Sequence, residues 1–399
     1  EGTLEIVSDW LDKEIEMSWM REYVEKSDCG LTVLQTSGDA VKTILFCEEQ
    51  FLKGKNVRPQ FPGRNVGMMF GLESSLHPFI GHPSYREIAD LPLSERVKIM
   101  KDPAFKEKLL NEKPNFASEI EKSMNEQGNT KSQEEIKEAA NLGLKLISNY
   151  DTQFILGDPP NYEPGKEDSI AALAKSKGIA ELEVIYDEFL KNEGTNLVYA
   201  CFTPYDNHKL DFVERAYSLK SSVAGGSDGG AHCGLICDAS MPTTNLSHWA
   251  RDREAGKKIP IELIVRKQTK DTAETYGLFD RGEIKTGMLA DLNIIDFEKL
   301  NVTHPKMVYD LPLGGRRLIQ TSSGYLATVK SGEVVYEAGE ATGVLPGKLI
   351  RGKQTCEVKT EKERVPFIDR TLRLMSVKAF KLLWNFRKSS VKTTVVSDD

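Results

Sequence analysis

The chain has 399 residues, with 60 acidic against 53 basic side chains and a formal net charge of −7. That length can bury one large core and a smaller one, and the acidic balance argues against nucleic acid as the main partner. No apolar run approaches the ~20 residues that a membrane-spanning helix needs. The six cysteines (Cys29, Cys47, Cys201, Cys233, Cys237 and Cys356) are scattered without a Cys-x-x-Cys pair. They read as free thiols in a reducing compartment, which points to the cytoplasm. The chain starts at Glu1 with no signal peptide and enters a strand pattern at once. It is therefore expected to begin inside a fold, as a fragment, a processed product or an incomplete gene model.

Residues 3–8 read as a buried strand, and residues 14–26 carry apolar side chains at helical spacing (Ile15, Met17, Met20, Tyr23, Val24). A second strand over 31–35 and a second helix over 39–52 follow, with Gly54 at the expected stop. Residues 57–70 read as a third, irregular strand. Such alternation predicts a parallel sheet with crossover helices. A polar, Pro-punctuated insertion from about 82 to 161 contains helical pieces over 94–100, 103–110 and 133–147, and is expected either as a lid or side wall or as packing decoration. Ser169 is placed to cap a helix over 170–177 that stops at Gly178. A helix over 181–191, a strand over 197–202 and a helix over 210–219 lead to the next strand.

That next strand is the centre of the chain. The stretch 222–232 reads Ser-Val-Ala-Gly-Gly-Ser-Asp-Gly-Gly-Ala-His. Small and β-branched residues suit a short buried strand. Asp228 follows it, and Gly229-Gly230 then lets the backbone turn sharply. A carboxylate at the C-terminal tip of a strand is where α/β barrels place catalytic groups, although Asp also caps turns. No Gly-Lys-Ser/Thr accompanies the glycines, so they are not a phosphate loop. Beyond it, residues 261–276 read as one helix, and short strands take over. Residues 325–329 and 333–336 flank Lys330-Ser331-Gly332, a hairpin signal. From 355 onward ten basic residues stand against six acidic ones. Leu372, Met375, Ala379, Leu382, Leu383 and Phe386 share one helical face there. Docking on the protein's own apolar surface is the favoured reading of this tail, ahead of contact with an anionic membrane surface.

At 226–232 and at Cys237-Asp238-Ala239-Ser240 the sequence resembles the amidohydrolase superfamily, and most closely its N-acyl-D-amino-acid deacylase branch. Residues 271–278 and 280–292 are similar to the superfamily's end-of-barrel signature. Arg58-Pro59-Gln60, residues 70–72 and 76–79, and residues 247–253 agree with the deacylase branch. The resemblance runs to about residue 354. It implies an α/β fold: the C-terminal part of a metal-dependent (β/α)8 barrel over 1–277, then a small β-sandwich-like module over 278–354, with the basic tail outside it. It implies a metal, expected as zinc, which lowers the pKa of bound water to ~7. It implies Asp228 as metal ligand and proton shuttle. The superfamily's His-x-His is absent, because His77, His82, His208, His232, His248 and His304 all stand singly. About the first half of the barrel is thus expected to be missing from the chain; the alternative is that the metal site has been lost. The substrate of that branch carries a carboxylate, so the resemblance implies an arginine near the site; Arg64 and Arg251 are the candidates, with His232 as a further loop contact. The expected function is hydrolysis of a linear amide, an N-acyl-D-amino acid. The alternatives are a cyclic-amide hydrolase of the hydantoinase or dihydropyrimidinase kind, and a non-catalytic chain acting by binding.

Overall fold

The computed structural model of the chain describes residues 2–8, 12–35, 41–116, 141, 143–203, 205–227, 229–230 and 232–355. They form two compact units. The first holds Thr3–Gln268 and Asn301–Ser323; the second holds Thr269–Leu300 and the described residues from Gly324 on.

Seven strands of the first unit precede residue 226: β1 (Thr3–Ile6), β2 (Gly30–Leu34), β3 (Val57–Pro62), β4 (Val66–Phe70), β5 (Gln153–Ile155), β6 (Val198–Thr203) and β7 (Val223–Gly225). They make two sheets. One is parallel, in the order β1-β2-β3-β7; the other is antiparallel, in the order β4-β6-β5. The alternating pattern at the start of the chain therefore yields the expected parallel sheet. No closed barrel is seen among the described residues. The stretch read as one irregular strand over 57–70 is in fact two strands in different sheets, broken at Gly63-Arg64-Asn65. Two small antiparallel pairs later in the unit join β10 (Lys306–Leu311) to β11 (Gly315–Ile319), and β9 (Asn301–Val302) to β12 (Ser322–Ser323).

The helices follow from local chemistry. Asp12 caps the helix Lys13–Lys26, its side chain accepting from the N–H groups of Glu14 and Ile15 at 3.1 Å. Glu14 and Glu16 lie in the first turn and Lys26 in the last, each matching the helix dipole. Met17, Met20 and Val24, at spacings of three and four, bury against Leu31, Val33, Phe46, Cys47 and Val57. Burial pushes the Cys47 thiol up to about 12, with Glu48 adding to the effect, so it is an inert core group. Ser169 caps Ile170–Lys177 as the sequence predicts, accepting from the Ala172 N–H at 3.2 Å, and Gly178 ends it at φ +68°. Ser169→Ala should lower unfolding free energy by about 1 kcal/mol, read from the denaturant midpoint, whereas Ser169→Asp should retain most of it.

The helical insertion appears as Pro83–Ile88, Leu93–Met100 and Pro103–Asn111, packed on a second core around Phe70, Phe79, Tyr186 and Phe189. The helix read over 133–147 lies largely outside the described residues, and so does the basic tail beyond Thr355. Among the described residues no helix is long and apolar enough to cross a membrane.

The single helix read over 261–276 is two, Ile261–Gln268 and Lys270–Thr275, because Thr269 leaves helical geometry at φ −119°, ψ −83°. In the second unit β8 (Leu292–Ile295), β13 (Tyr325–Lys330), β14 (Glu333–Glu337) and β15 (Glu340–Ala341) form one antiparallel sheet, in the order β15-β14-β13-β8. The predicted hairpin is present: Ser331 and Gly332 both take positive φ, +53° and +85°, as a two-residue turn between twisted strands requires. Residues 278–354, read as one sandwich-like module, are thus divided: 301–323 belong to the first unit, and the rest contributes this one four-stranded sheet, with no second sheet among the described residues of the second unit.

Candidate active site

The C-terminal edge of the parallel sheet is where the sequence places its chemistry. At that edge β3 and β7 run side by side, with Pro62 opposite Gly225. A side chain at Gly225 would put its Cβ 2.6 Å from the Gln60 side chain, and Gly226 turns out of the strand at φ +74°. Both glycines are therefore needed for the chain to leave the sheet here. Asp228 comes three residues after Gly225. It lies outside the described residues, as does Ala231.

Beyond Asp228 the loop is tied down through its own carbonyls. Leu318 donates its N–H to Cys233 O at 2.6 Å, Ser75 to Gly234 O at 2.9 Å and Met69 to Leu235 O at 2.7 Å. The loop then reaches Cys237-Asp238 and the helix Met241–Ser247.

On the neighbouring strand, Gly63-Arg64-Asn65 turns the chain from β3 into β4. Gly63 is clasped by the elements that follow the loop. The Trp249 indole donates from Nε1 to Gly63 O at 2.6 Å, and Gly63 N–H faces Met241 Sδ at 3.1 Å. A Cβ on Gly63 would sit 1.6 Å from Asn245 Oδ1. Asn245 is itself buried, so it has little room to yield. Gly63→Ala should cost about 3 kcal/mol, measured as a shift of the denaturant midpoint, while Gly54→Ala, where nothing lies within 4 Å, should cost much less despite its φ of +82°.

Arg64 is fully buried and pairs with the buried Asp238 at 2.9 Å. Its NH1 also donates to Asn65 O and to the Tyr199 hydroxyl, both at 3.2 Å, and its NH2 donates to Cys237 O at 3.1 Å. The guanidinium carbon stands 3.8 Å from the centre of the Tyr162 ring. Burial would lower its pKa, but the Asp238 charge outweighs that and keeps Arg64 ionised. This residue, read from the sequence as a substrate contact, reaches no open surface here. Arg251, the other candidate, is partly exposed and binds the adjacent Asp252 through Nε at 2.6 Å and NH2 at 2.8 Å. His232 is exposed, sits at φ +48°, and offers its carbonyl to the N–H groups of Leu235 and Ile236.

The histidines are dispersed. His77 is buried among Tyr85, Phe79 and Phe189, and burial, helped by Arg96 and Arg316, pushes it down to about 3. His82 is buried beside Phe79. His208 and His304 meet the carbonyls of Asp151 and Gly157. Among the described residues no three His, Cys, Asp or Glu side chains are grouped so as to hold a metal. The residues described here therefore do not fit the zinc site that the resemblance implies, which needs about three protein ligands.

One charged cluster carries no signal in the sequence. Glu163, in the loop before the helix Ile170–Lys177, accepts from Arg253 Nε at 3.0 Å and lies 2.8 Å from His248 Nε2. Arg253 is fully buried, donates to Glu214 at 2.6 Å and to Lys257 O at 2.9 Å, and lies over the Trp249 ring at 4.3 Å. Burial alone would raise the Glu163 carboxyl; the hydrogen bonds and charges of His248 and Arg253 outweigh it and hold it at about 2. His248 packs edge-on against the Trp249 ring at 5.4 Å and pairs with Glu163 as well.

Residues 161–336 match the amidohydrolase family. The resemblance read from the sequence is thus found independently over this stretch. The amidohydrolase-like segment contains Glu163, Arg253, the Asp228 loop and Asp238, while Arg64 stands ahead of it. No curated protein matches the chain. The chain is similar to a solved D-aminoacylase studied for its binuclear metal centre, at 14% identity and a TM-score of 0.42, over 86% of this chain and 54% of that one. It is also similar to a D-aminoacylase structure described as defining a novel subset of amidohydrolases, at 15% identity and a TM-score of 0.39, over 85% of this chain and 54% of that one. The chain spans about half the length of these structures.

Proposed function

We propose that the protein hydrolyses the C–N bond of a linear amide, an N-acyl-D-amino acid, and that its open parallel sheet is the C-terminal part of a (β/α)8 barrel. The amidohydrolase match across the Asp228 loop is the observation that carries this reading. The register of β3 against β7 supports it, since both strands deliver their following loops at one edge of the sheet.

Asp228 is the reacting carboxylate in this reading. It takes a proton from the attacking water as the oxygen bonds to the amide carbon, and returns that proton to the nitrogen as the C–N bond breaks. The products are a carboxylic acid and a free amine. The described residues offer no ligand set for a metal. His232 and Arg251 are the loop and surface groups proposed to meet the substrate.

The test sets N-acyl-D-amino acids against hydantoins and dihydropyrimidines with the purified protein. Free amine from the linear compounds is expected. Ring opening in their place would favour the cyclic-amide alternative. Turnover of neither by a cooperatively folded protein would favour the non-catalytic chain that acts by binding.

A further inference from the structure

One buried charge of the first unit lacks a counter-charge. Arg64 and Arg253 are buried, and each meets a carboxylate. Arg96, on the helix Leu93–Met100, is buried as well, and meets none among the described residues. Its NH1 donates to Leu72 O at 2.5 Å and to the Tyr85 hydroxyl at 3.0 Å, both neutral groups. Its Nε is buried without a partner. A guanidinium does not give up its proton in a protein, so positive potential is left at this place.

The hairpin β10–β11 stands beside it. Tyr309 of β10 donates its hydroxyl to Glu73, the residue after Leu72, at 2.6 Å. In β11, Arg316 falls where the ladder shifts between the pairs Val308–Arg317 and Leu311–Gly315, across from Tyr309 and Asp310. Its neighbour Arg317 takes Asp310 at 2.8 Å. Arg316 is exposed and forms no ion pair among the described residues. Burial pushes His77 down and Tyr85 and Tyr309 up, with Glu73 adding to the rise at Tyr309; after burial, the charges of Arg96 and Arg316 act on all three. The two arginines therefore share one neighbourhood, and the Glu73 carboxylate there is already engaged by Tyr309.

We propose that Arg316, reinforced by the buried charge of Arg96, is a binding site for a carboxylate, the group that an N-acyl amino acid carries. An exposed guanidinium offers the planar fork that a carboxylate takes. Arg64 is closed off in the interior, and Arg251 has its fork on Asp252. The choice of ligand rests on the function proposed above; the site itself does not.

The experiment titrates the full chain with hexanoate and with hexanamide, followed by the backbone amide resonances of Arg316 and Leu318. Hexanoate has the carboxylate and no amide bond to cleave; hexanamide lacks the charge. Saturable shifts are expected with hexanoate alone. Arg316→Met should weaken hexanoate binding about 10- to 100-fold, with an unchanged melting curve because the side chain is exposed. Arg317→Met, whose charge is matched by Asp310, should stay within about 2-fold of wild type. In turnover, Arg316→Met should raise KM for an N-acyl-D-amino acid and leave kcat little altered.

Any of four results would overturn the proposal: no saturable binding of hexanoate, equal binding of hexanamide, wild-type affinity in Arg316→Met, or an equal loss in Arg317→Met. Hexanoate binding that needs Arg316, in a protein that hydrolyses no amide, would leave this site standing and fail the proposed function. Amide hydrolysis with an unchanged KM in Arg316→Met would do the reverse.

Discussion

Asp228→Asn should lower the rate of amide hydrolysis by about 10²–10⁴-fold while leaving the fold intact. The substitution is isosteric. It follows a strand that leaves the sheet through Gly225 and Gly226. What the amide side chain loses is the capacity to accept a proton from water and deliver it to the leaving nitrogen. The defect should therefore fall on kcat and kcat/KM together, the pattern of a group that acts in the transition state. Steady-state assays with a parallel melting curve check this. An Asp228→Asn protein that retains wild-type kcat would remove the carboxylate from the mechanism.

The second large effect belongs to Arg253. Arg253→Met should destabilise the first unit by about 3–5 kcal/mol, the usual consequence of leaving a buried partner charge uncompensated. Glu163 is that partner, and Glu214 loses its 2.6 Å contact as well. The pair also gives stability a pH dependence. The Glu163 carboxyl is depressed from the ordinary carboxylate range to about 2 in the folded protein. A depressed carboxyl stabilises the fold above its unfolded pKa, and that contribution is lost as pH falls through the folded value. The window is thus about pH 5 down to about pH 2, with a maximum of roughly 3 kcal/mol, reduced by the water that reaches His248. Glu163→Gln should flatten the stability curve across that window. Denaturant midpoints at pH 7, 4 and 3 measure it, and an unchanged slope in Glu163→Gln would show that other groups carry the acid sensitivity.

What could be read from the sequence was what local chemistry determines. Ser169 with Gly178, the helical spacing of Met17, Met20 and Val24, and Ser331-Gly332 between alternating residues each specify an element within a few positions. The parallel sheet followed from the alternation of such elements. The break inside 57–70 was not legible, because it depends on Trp249 and Met241, nearly two hundred residues on, closing over Gly63. Arg64 was singled out for its charge, but its partner Asp238 is remote in sequence, and nothing local marks the guanidinium as buried. Glu163 gave no signal at all: it is one acid in a Pro-rich loop, and its partners lie 85 and 90 residues away. The split of 261–276 at Thr269 likewise falls where no Gly or Pro announces it. Long-range pairing of single side chains has no periodicity, and so leaves no pattern to read.

The most direct measurement is hydrolysis of an N-acyl-D-amino acid in water enriched in oxygen-18, with both products analysed by mass. The account predicts free amino acid together with an acyl carboxylate carrying one atom of the heavy isotope, since the water oxygen is what bonds to the amide carbon. Folded protein that releases no amine, or an acid product without the label, would contradict it.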